Sequence, residues 1–539
     1  MTAIERLFDP TEGVCRHRPL FGWSCAVILG SAVGFALGFP WVWLLLATAT
    51  LWWVWRRQSA ESLSAWLCLL LLLLTAWRAG LCHERNARVF GRLRSAQELG
   101  QPITLIATVS NDRQVVPRKR GGPYCRFSAD DAWFEDGTEI HGINLRFSFY
   151  DRAGNFPNTG ETWRLVAKPR RHSAYGQLTL SARGEGAEHL PDRDQARHLA
   201  YRFADLRNRL AEHLALGVPP DVASQLQTML LGRRTQLPYD LRQRYTRAGI
   251  LHLFAISGLH VGIVAGFLIW LLARLGLRLR VRALILAPVL GGYLLLTGLP
   301  PSATRACLMA VLYCLAPTLL RRADAPSALF ATAAAVLLVE PSWVANVGAI
   351  LSFTVMGGIL LWMAPLRTLL LRLLRVAPSV LAADAPRAVA GLPWHQRWRV
   401  LIASLMALTF SAWLAAAPLS LFFFGRLSFV GLLLNLLVPA LALAIVWCAC
   451  LSALSGFLWA PLAIGFNRLG ATCLQLLDVC SSLALQLPGA TLDLPPMQRP
   501  GLTLTLLLEL SILVGGLRLR QTLRDQAQAA AASRRQAEC

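Results

Sequence analysis

The apolar residues of this chain come in runs of about the length that crosses a bilayer. Trp41–Trp55, Leu63–Ala76 and Leu401–Phe424 are three of them. A helix needs about 20 mostly apolar residues to traverse the hydrocarbon core, and a soluble core has no use for so many such runs. Composition agrees: 55% of the 539 residues are hydrophobic and 15% charged, where soluble domains carry about 25% charged residues. The chain therefore reads as a polytopic α-helical membrane protein of about 10–12 spans, with one soluble insert.

Three spans come first, at Phe21–Phe39, Trp41–Trp55 and Leu63–Leu81, within an N-terminal region 1–82. No small-residue cleavage site follows the first, so it reads as a retained helix. Residues 95–190 change character. Pro102–Ser110, Tyr124–Trp133, Ile140–Tyr150, Thr162–Ala167 and Gln177–Ala182 read as strands separated by Gly, Pro and Asn. This pattern predicts a small Greek-key β-barrel of OB type. Residues 195–248 are amphipathic helix, with Leu199, Phe203, Leu206, Leu210 and Leu214 on one face. Further helices at Val222–Leu231 and Leu241–Tyr245 are too polar to span, and lie at the interface or pack on the spans. From 249 to 518 the chain is apolar, with spans near 250–274, 281–299, 303–320, 326–340, 343–370, 400–424, 428–455, 457–487 and 501–517. Residues 519–539 form a polar tail.

The net charge is +23, unevenly placed. Residues 101–190 carry 12 basic and 10 acidic side chains, whereas residues 251–539 carry 21 and 8. Excess Arg at span ends follows the positive-inside rule, and it also suits a polyanion. Arg16, Arg18, Arg56 and Arg57 place the N-terminus in the cytoplasm, and three spans then make the insert extracytoplasmic. The twelve Cys show no metal-ligand spacing. A Cys82–Cys125 bridge is open to the chain if that region faces an oxidising compartment.

Polar groups inside spans are costly, so each is a functional candidate. The densest cluster, Gly249–Gly266, holds His252, Ser257, Gly258 and His260. Ser257 and His260, three apart, would share a helix face. In Tyr293–Ala310, the Pro300-Pro301 pair must interrupt a helix. Ser302 then makes an N-cap, with Arg305 in the first turn. A broken helix facing a cavity attracts anions. Ser352 and Asn435 lie in two weaker stretches, Asn346–Gly358 and Ala417–Ala440. In the insert, Arg118, Lys119 and Arg120 offer phosphate contacts, and Tyr124 and Trp133 offer stacking surfaces, beside Phe127 and Phe149. Core packing is the commoner use of such aromatics.

In this order the stretches resemble the ComEC family of competence proteins. Gly249–Gly266 (GILHLFAISGLHVGIVAG) is similar to that family's most recognisable box, and Gly298–Ala306 (GLPPSATRA) to a second. Pro418–Ala440 resembles a third. A further box departs, with Ala349 and Ile350 where the family has an aromatic residue and Gln. The resemblance implies a channel passing single-stranded DNA across the inner membrane in natural transformation. Pore-lining roles would fall to His252, Ser257, Gly258, His260, Pro301, Ser302, Arg305, Ser352 and Asn435. Many relatives end in a metallo-β-lactamase-like domain. The last His here is His395, so the reading is a form without it, acting with a separate nuclease. No P-loop motif is present, so energy is expected from a cytoplasmic ATPase, and an outer DNA receptor is implied. Neither a cofactor nor a catalytic role is expected. Two rivals remain. One is a transporter or flippase for another anion. The other is an intramembrane hydrolase using Ser257 and His260, which lacks a nucleophile elbow.

Overall fold

The computed structural model describes residues 19–37, 63–109, 114–116, 124–140, 144–151, 155–157, 161–173, 177–191, 198–233, 237–315, 324–376, 393–495 and 500–538. The second expected span and the basic loop Arg118–Arg120 lie outside the described residues.

Helix α1 (Pro19–Leu37) packs closely on α2 (Leu63–Glu98). The approach depends on glycine: a Cβ at Gly34 would lie 1.9 Å from the Ala76 carbonyl oxygen, the small-residue packing common between membrane helices. α2 continues unbroken out of the bundle into a β domain. Its strands are β1 (Ile103–Val109), β2 (Gln114–Val116), β3 (Tyr124–Phe134), β4 (Glu139–Ile140), β5 (Asn144–Tyr150), β6 (Thr162–Ser173), β7 (Gln177–Arg183) and β8 (Glu188–His189). The five main strands run in the order β1-β3-β5-β7-β6, and β6 pairs back onto β1. The barrel is thus closed. β5–β7 is its parallel pair, and the order is that of the OB-type Greek key. Alternation decides which face is inward: Cys125, Phe127, Leu145, Phe147, Phe149, Leu165 and Leu180 fill the interior, and Val89 and Leu93 of α2 plug it. Cys125 and Cys82 are both free thiols. The first faces the barrel core, and the second sits on α2 beside Glu340, so the contemplated bridge is not formed.

The remaining helices are α3 (His198–Ala215), α4 (Pro220–Leu231), α5 (Tyr239–Arg247), α6 (Gly258–Arg274), α7 (Leu279–Thr297), α8 (Pro301–Leu315), α9 (Ala325–Val339), α10 (Val347–Leu373), α11 (Trp394–Phe424), α12 (Val430–Ser455), α13 (Ala460–Ala484) and α14 (Leu502–Glu538). Short strands β9 (Arg426–Ser428) and β10 (Thr491–Asp493) pair beyond α11. Among the described residues, four helices are long and apolar enough to cross a bilayer alone: α10, α11, α12 and the first part of α14. α14 leaves Leu504, Leu506 and Leu510 more than half exposed, a lipid-facing surface. This is a polytopic helical membrane protein carrying a β-barrel insert. α6, the later part of α7 and α9 are apolar but shorter. The run 250–274 yields a helix only from Gly258.

Helices α3 to α5 are not laid on the surface. Ala211, Leu214, Leu226, Met229, Leu230 and Tyr245 join α12 and α13 in the largest core. All of Ala223–Leu231 is buried. Its polar groups are internally satisfied: Gln227 donates to Ala211 O (2.8 Å), Thr228 to Ser224 O (2.6 Å), and the Gln225 carboxamide lies 3.1 Å from Tyr245 Oη, which donates to Asp478.

The orientation of the bundle relative to the barrel follows from contacts. Arg78, on the stretch of α2 leading to the barrel, donates to the carbonyls of Leu338 and Val339 at the end of α9. α10 therefore starts at the barrel end. α11 returns antiparallel to it. Arg367 late in α10 meets Ser404 early in α11 (3.1 Å), and Gly358 abuts Ala415.

Candidate functional site

The site is assembled where two helices are interrupted side by side. Gly249, in the left-handed region (φ 74°), ends the approach from α5 and packs on Ser428 and Gly431. Leu251–Phe254 make one tight 3-10 turn, with Phe254 stacked on Tyr245 at 4.4 Å. Ala255 and Ser257 are extended, and α6 starts at Gly258. Ser257 is thus the N-cap of α6 and not a residue on its face. His260, three residues on, reaches back. Its Nδ1 accepts the Ser257 N–H (3.3 Å) and lies 3.0 Å from Ser257 Oγ. With Nδ1 the acceptor, the ring proton of neutral His260 sits on Nε2, which is buried without a partner. His252 is exposed, with Nδ1 3.1 Å from Gly249 O.

The second interruption follows α7. Gly298 (φ 78°) and Leu299 (φ 53°) are both left-handed, uncommon for Leu, and they turn the chain into Pro300. α8 begins at Pro301, so Ser302 lies inside the helix instead of capping it. Its hydroxyl donates to Ile256 O at 2.5 Å. That bond uses a carbonyl freed by the α6 break and locks the two interruptions together. One turn on, Arg305 is only 8% exposed. Nε donates to Ser352 Oγ of α10 (2.9 Å), and one terminal nitrogen approaches Met309 Sδ (3.3 Å). The other rests on Gly258, where a Cβ would stand 2.8 Å away. No carboxylate pairs with Arg305 among the described residues. Asn346 N-caps α10 by accepting the Ala349 N–H at 3.2 Å, which fixes the turn carrying Ser352.

Seven of the nine residues expected to line a pore thus lie on the two interruptions and the turn joined to them: Ser257, Gly258, His260, Pro301, Ser302, Arg305 and Ser352. His252 stands at the edge. Asn435 does not join them. It lies on α12 with its carboxamide oxygen buried and unpartnered. On the barrel, Tyr124 stacks on Tyr150 (centroids 5.1 Å) under Arg126 (5.2 Å). Arg146 and Ser148 share that outer face by register. Trp133 points outward elsewhere on β3, while Phe127 and Phe149 are core. Tyr150 was missed in the sequence, although alternation along β5 puts it on the outward face with Ser148 and Arg146.

Every residue of the bundle cluster falls within 229–521, the stretch that matches the family described as Competence protein. That is just over half of the chain. The chain belongs to the competence protein family. It is 26% identical over 270 residues to ComE operon protein 3 of Bacillus subtilis (strain 168), covering 50% of this chain and 30% of that protein. It is 30% identical over 227 residues to Competence protein ComA of Neisseria gonorrhoeae, covering 38% of this chain and 32% of that protein. The chain thus matches about a third of the length of these curated relatives. No solved structure matches it.

Proposed function

We propose that this protein forms the path by which single-stranded DNA crosses the inner membrane during natural transformation. The observation that carries the reading is Arg305: a buried guanidinium held by a neutral hydroxyl and a thioether, beside the freed N–H groups at the start of α6. A buried cation without a counter-ion is costly. It is economical only where an anion regularly visits, and a phosphodiester suits a guanidinium edge. Membership of the competence family favours DNA as that anion over a lipid-linked solute.

Sidedness is part of the proposal. Arg274, Arg278, Arg280 and Arg282 join α6 to α7, Arg372 and Arg375 end α10, and Arg397 and Arg399 begin α11, all at the end away from the barrel. The positive-inside rule makes that end cytoplasmic. The barrel and the N-terminal side of the Arg305 cluster then face outward, and the N-terminus is cytoplasmic. The Tyr124–Tyr150 face would meet the strand first, because the corresponding face of OB barrels takes oligonucleotides. A cytoplasmic ATPase, an outer DNA receptor and a separate nuclease are the partners this role would need. The Ser257–His260 contact is read as helix capping, since one imidazole nitrogen serves both groups of Ser257.

The test is labelled-DNA import in a strain whose only copy carries Arg305→Gln. Import should fall to the level of a deletion strain while protein abundance in the membrane stays normal. Import at the wild-type rate would sink the assignment.

A further inference from the structure

A second cationic site lies outside the Arg305 cluster. Arg242, Gln243, Thr246 and Arg247 of α5, with Arg426 of β9, line a cavity of about 150 Å³ near the barrel end of the bundle. Arg426 is held by Asp493 across the β9–β10 pair. Arg242 and Arg247 are exposed and have no acidic partner among the described residues. The two walls are fixed against each other just below. Gly249, two residues past Arg247, meets Ser428, two residues past Arg426, so closely that a Cβ there would stand 2.7 Å from the serine Cβ. Thr246 Oγ1 is occupied by Arg242 O at 2.6 Å, which holds that turn of α5.

Asp493 already pairs with Arg426, which leaves the Arg242 and Arg247 guanidinium groups of the same concavity to repel one another unless an anion sits between them. Their forked donors match phosphate oxygens. Every lining side chain is polar, so the cavity has no wall for an acyl chain, and a water-borne phosphate fits better than a lipid headgroup. α5 then leads through Gly249 directly into the interruption that carries Ser257. We propose that this cavity grips a backbone phosphate of single-stranded nucleic acid before the strand reaches Arg305. The proposal rests on the DNA-path reading and assigns a distinct, outer contact to it.

The experiment measures binding of a fluorescent twelve-nucleotide oligothymidylate to the full-length protein in neutral detergent, across a KCl series. Each phosphate contact on a single strand contributes about 0.7 to the slope of log affinity against log salt. The Arg242→Gln/Arg247→Gln variant should weaken binding and lower that slope by about 1.4. Arg274→Gln, at the opposite end of the bundle, should leave it unchanged. An undiminished slope in the double variant overturns the proposal, as does failure of the wild type to bind at low salt. In parallel, thermal stabilisation is compared in vesicles of phosphatidylglycerol and of phosphatidylcholine. If the variant loses only a phosphatidylglycerol effect and keeps oligonucleotide binding, the cavity holds a lipid headgroup and the proposal falls. These are equilibrium readings, so they fail separately from the import assay on Arg305→Gln.

Discussion

Arg305 and Ser352 meet across α8 and α10 at 2.9 Å, with the guanidinium Nε donating to the serine hydroxyl. A serine in that place holds the cation without neutralising it, which leaves its charge available. Ser352→Asp tests this directly. The carboxylate would pair with Arg305, and because desolvating a second charge offsets the pairing, the fold should change little in stability. DNA import should nevertheless drop about tenfold or more, the cost of about 1.4 kcal/mol per decade of lost anion affinity. Melting temperature in detergent and transformation frequency, measured together, separate the two effects. Import unchanged in Ser352→Asp would mean that the free charge is not used.

Gly258 offers a smaller perturbation of the same contact. A methyl group there would collide with an Arg305 terminal nitrogen 2.8 Å away. Gly258 is the first residue of α6, where Ala is tolerated and keeps only part of the advantage of about 1 kcal/mol over Gly that it has in a helix interior. The expected variant is folded, no less stable than wild type, and impaired in transformation because its guanidinium is displaced. A variant that both folds and transforms normally would show that Arg305 tolerates another position.

Much of this architecture can be read from the chain, and the exceptions share a cause. The spans are legible because apolar length is a local property, and the strands because alternation is. β6 runs on to Ser173, through polar residues, because β7 supplies a partner there. In GILHLFAISGLH, Gly258 allows a break or a close helix approach, but nothing local decides between them. The break exists because Ser302, about 46 positions away, takes the Ile256 carbonyl. The burial of α4 was hidden for a similar reason. Gln225, Gln227 and Thr228 look like a solvated face until Tyr245, Ala211 and Ser224 respectively are seen to satisfy them. Arg305 and Ser352 were named individually from sequence, but their pairing was not, since nothing local connects them.

The barrel carries its own prediction. Tyr124 is half-buried against Tyr150 with Arg126 above it, a stacked platform on an outer face. A base stacked on such a ring contributes about 1–3 kcal/mol. Tyr124→Ala in the full-length protein should therefore weaken binding of an oligothymidylate by about tenfold, with little change in its salt dependence. Equal affinity for the variant would leave the pair a purely structural stack.

Asp136 predicts how the barrel's seat on α2 responds to acid. Its carboxylate accepts from Thr138, including the backbone N–H at 2.9 Å, and from Arg92 of α2 at 2.6 Å. Hydrogen bonds from Thr138, then the Arg92 contact, lower its pKa to about 2. A depressed carboxylate stabilises the fold above its unfolded pKa, and that contribution is lost as pH falls through the folded value. The loss should therefore span the window from about pH 4, the free carboxylate value, down to about 2. The residue is exposed, so the effect is modest. Asp136→Asn should flatten the acid dependence of the melting temperature within that window and leave it unchanged above pH 5. Parallel curves for wild type and variant between pH 4 and 2 would show that the Thr138 and Arg92 contacts carry no stability.

The last prediction concerns the support beneath the site. Tyr245 is wholly buried, its hydroxyl donating to Asp478 and lying 3.1 Å from the Gln225 carboxamide, and its ring stacked on Phe254 just before the α6 interruption. Tyr245→Phe keeps the stack and removes one hydroxyl, leaving the part-buried Asp478 carboxylate and the buried Gln225 carboxamide without their phenol partner. Each such loss costs about 1–3 kcal/mol. The variant should melt several degrees lower yet transform normally at low growth temperature, because Phe254 stays in place. Tyr245→Ala removes the stack as well, freeing Leu251–Phe254 to move relative to Ser257 and Arg305. It should lose transformation even where membrane levels are maintained by growth in the cold. If Tyr245→Phe and Tyr245→Ala lose function in proportion to their lost stability, the ring supports the fold alone. If Tyr245→Ala falls further than its stability accounts for, the ring positions the interruption that Ser302 locks to α8.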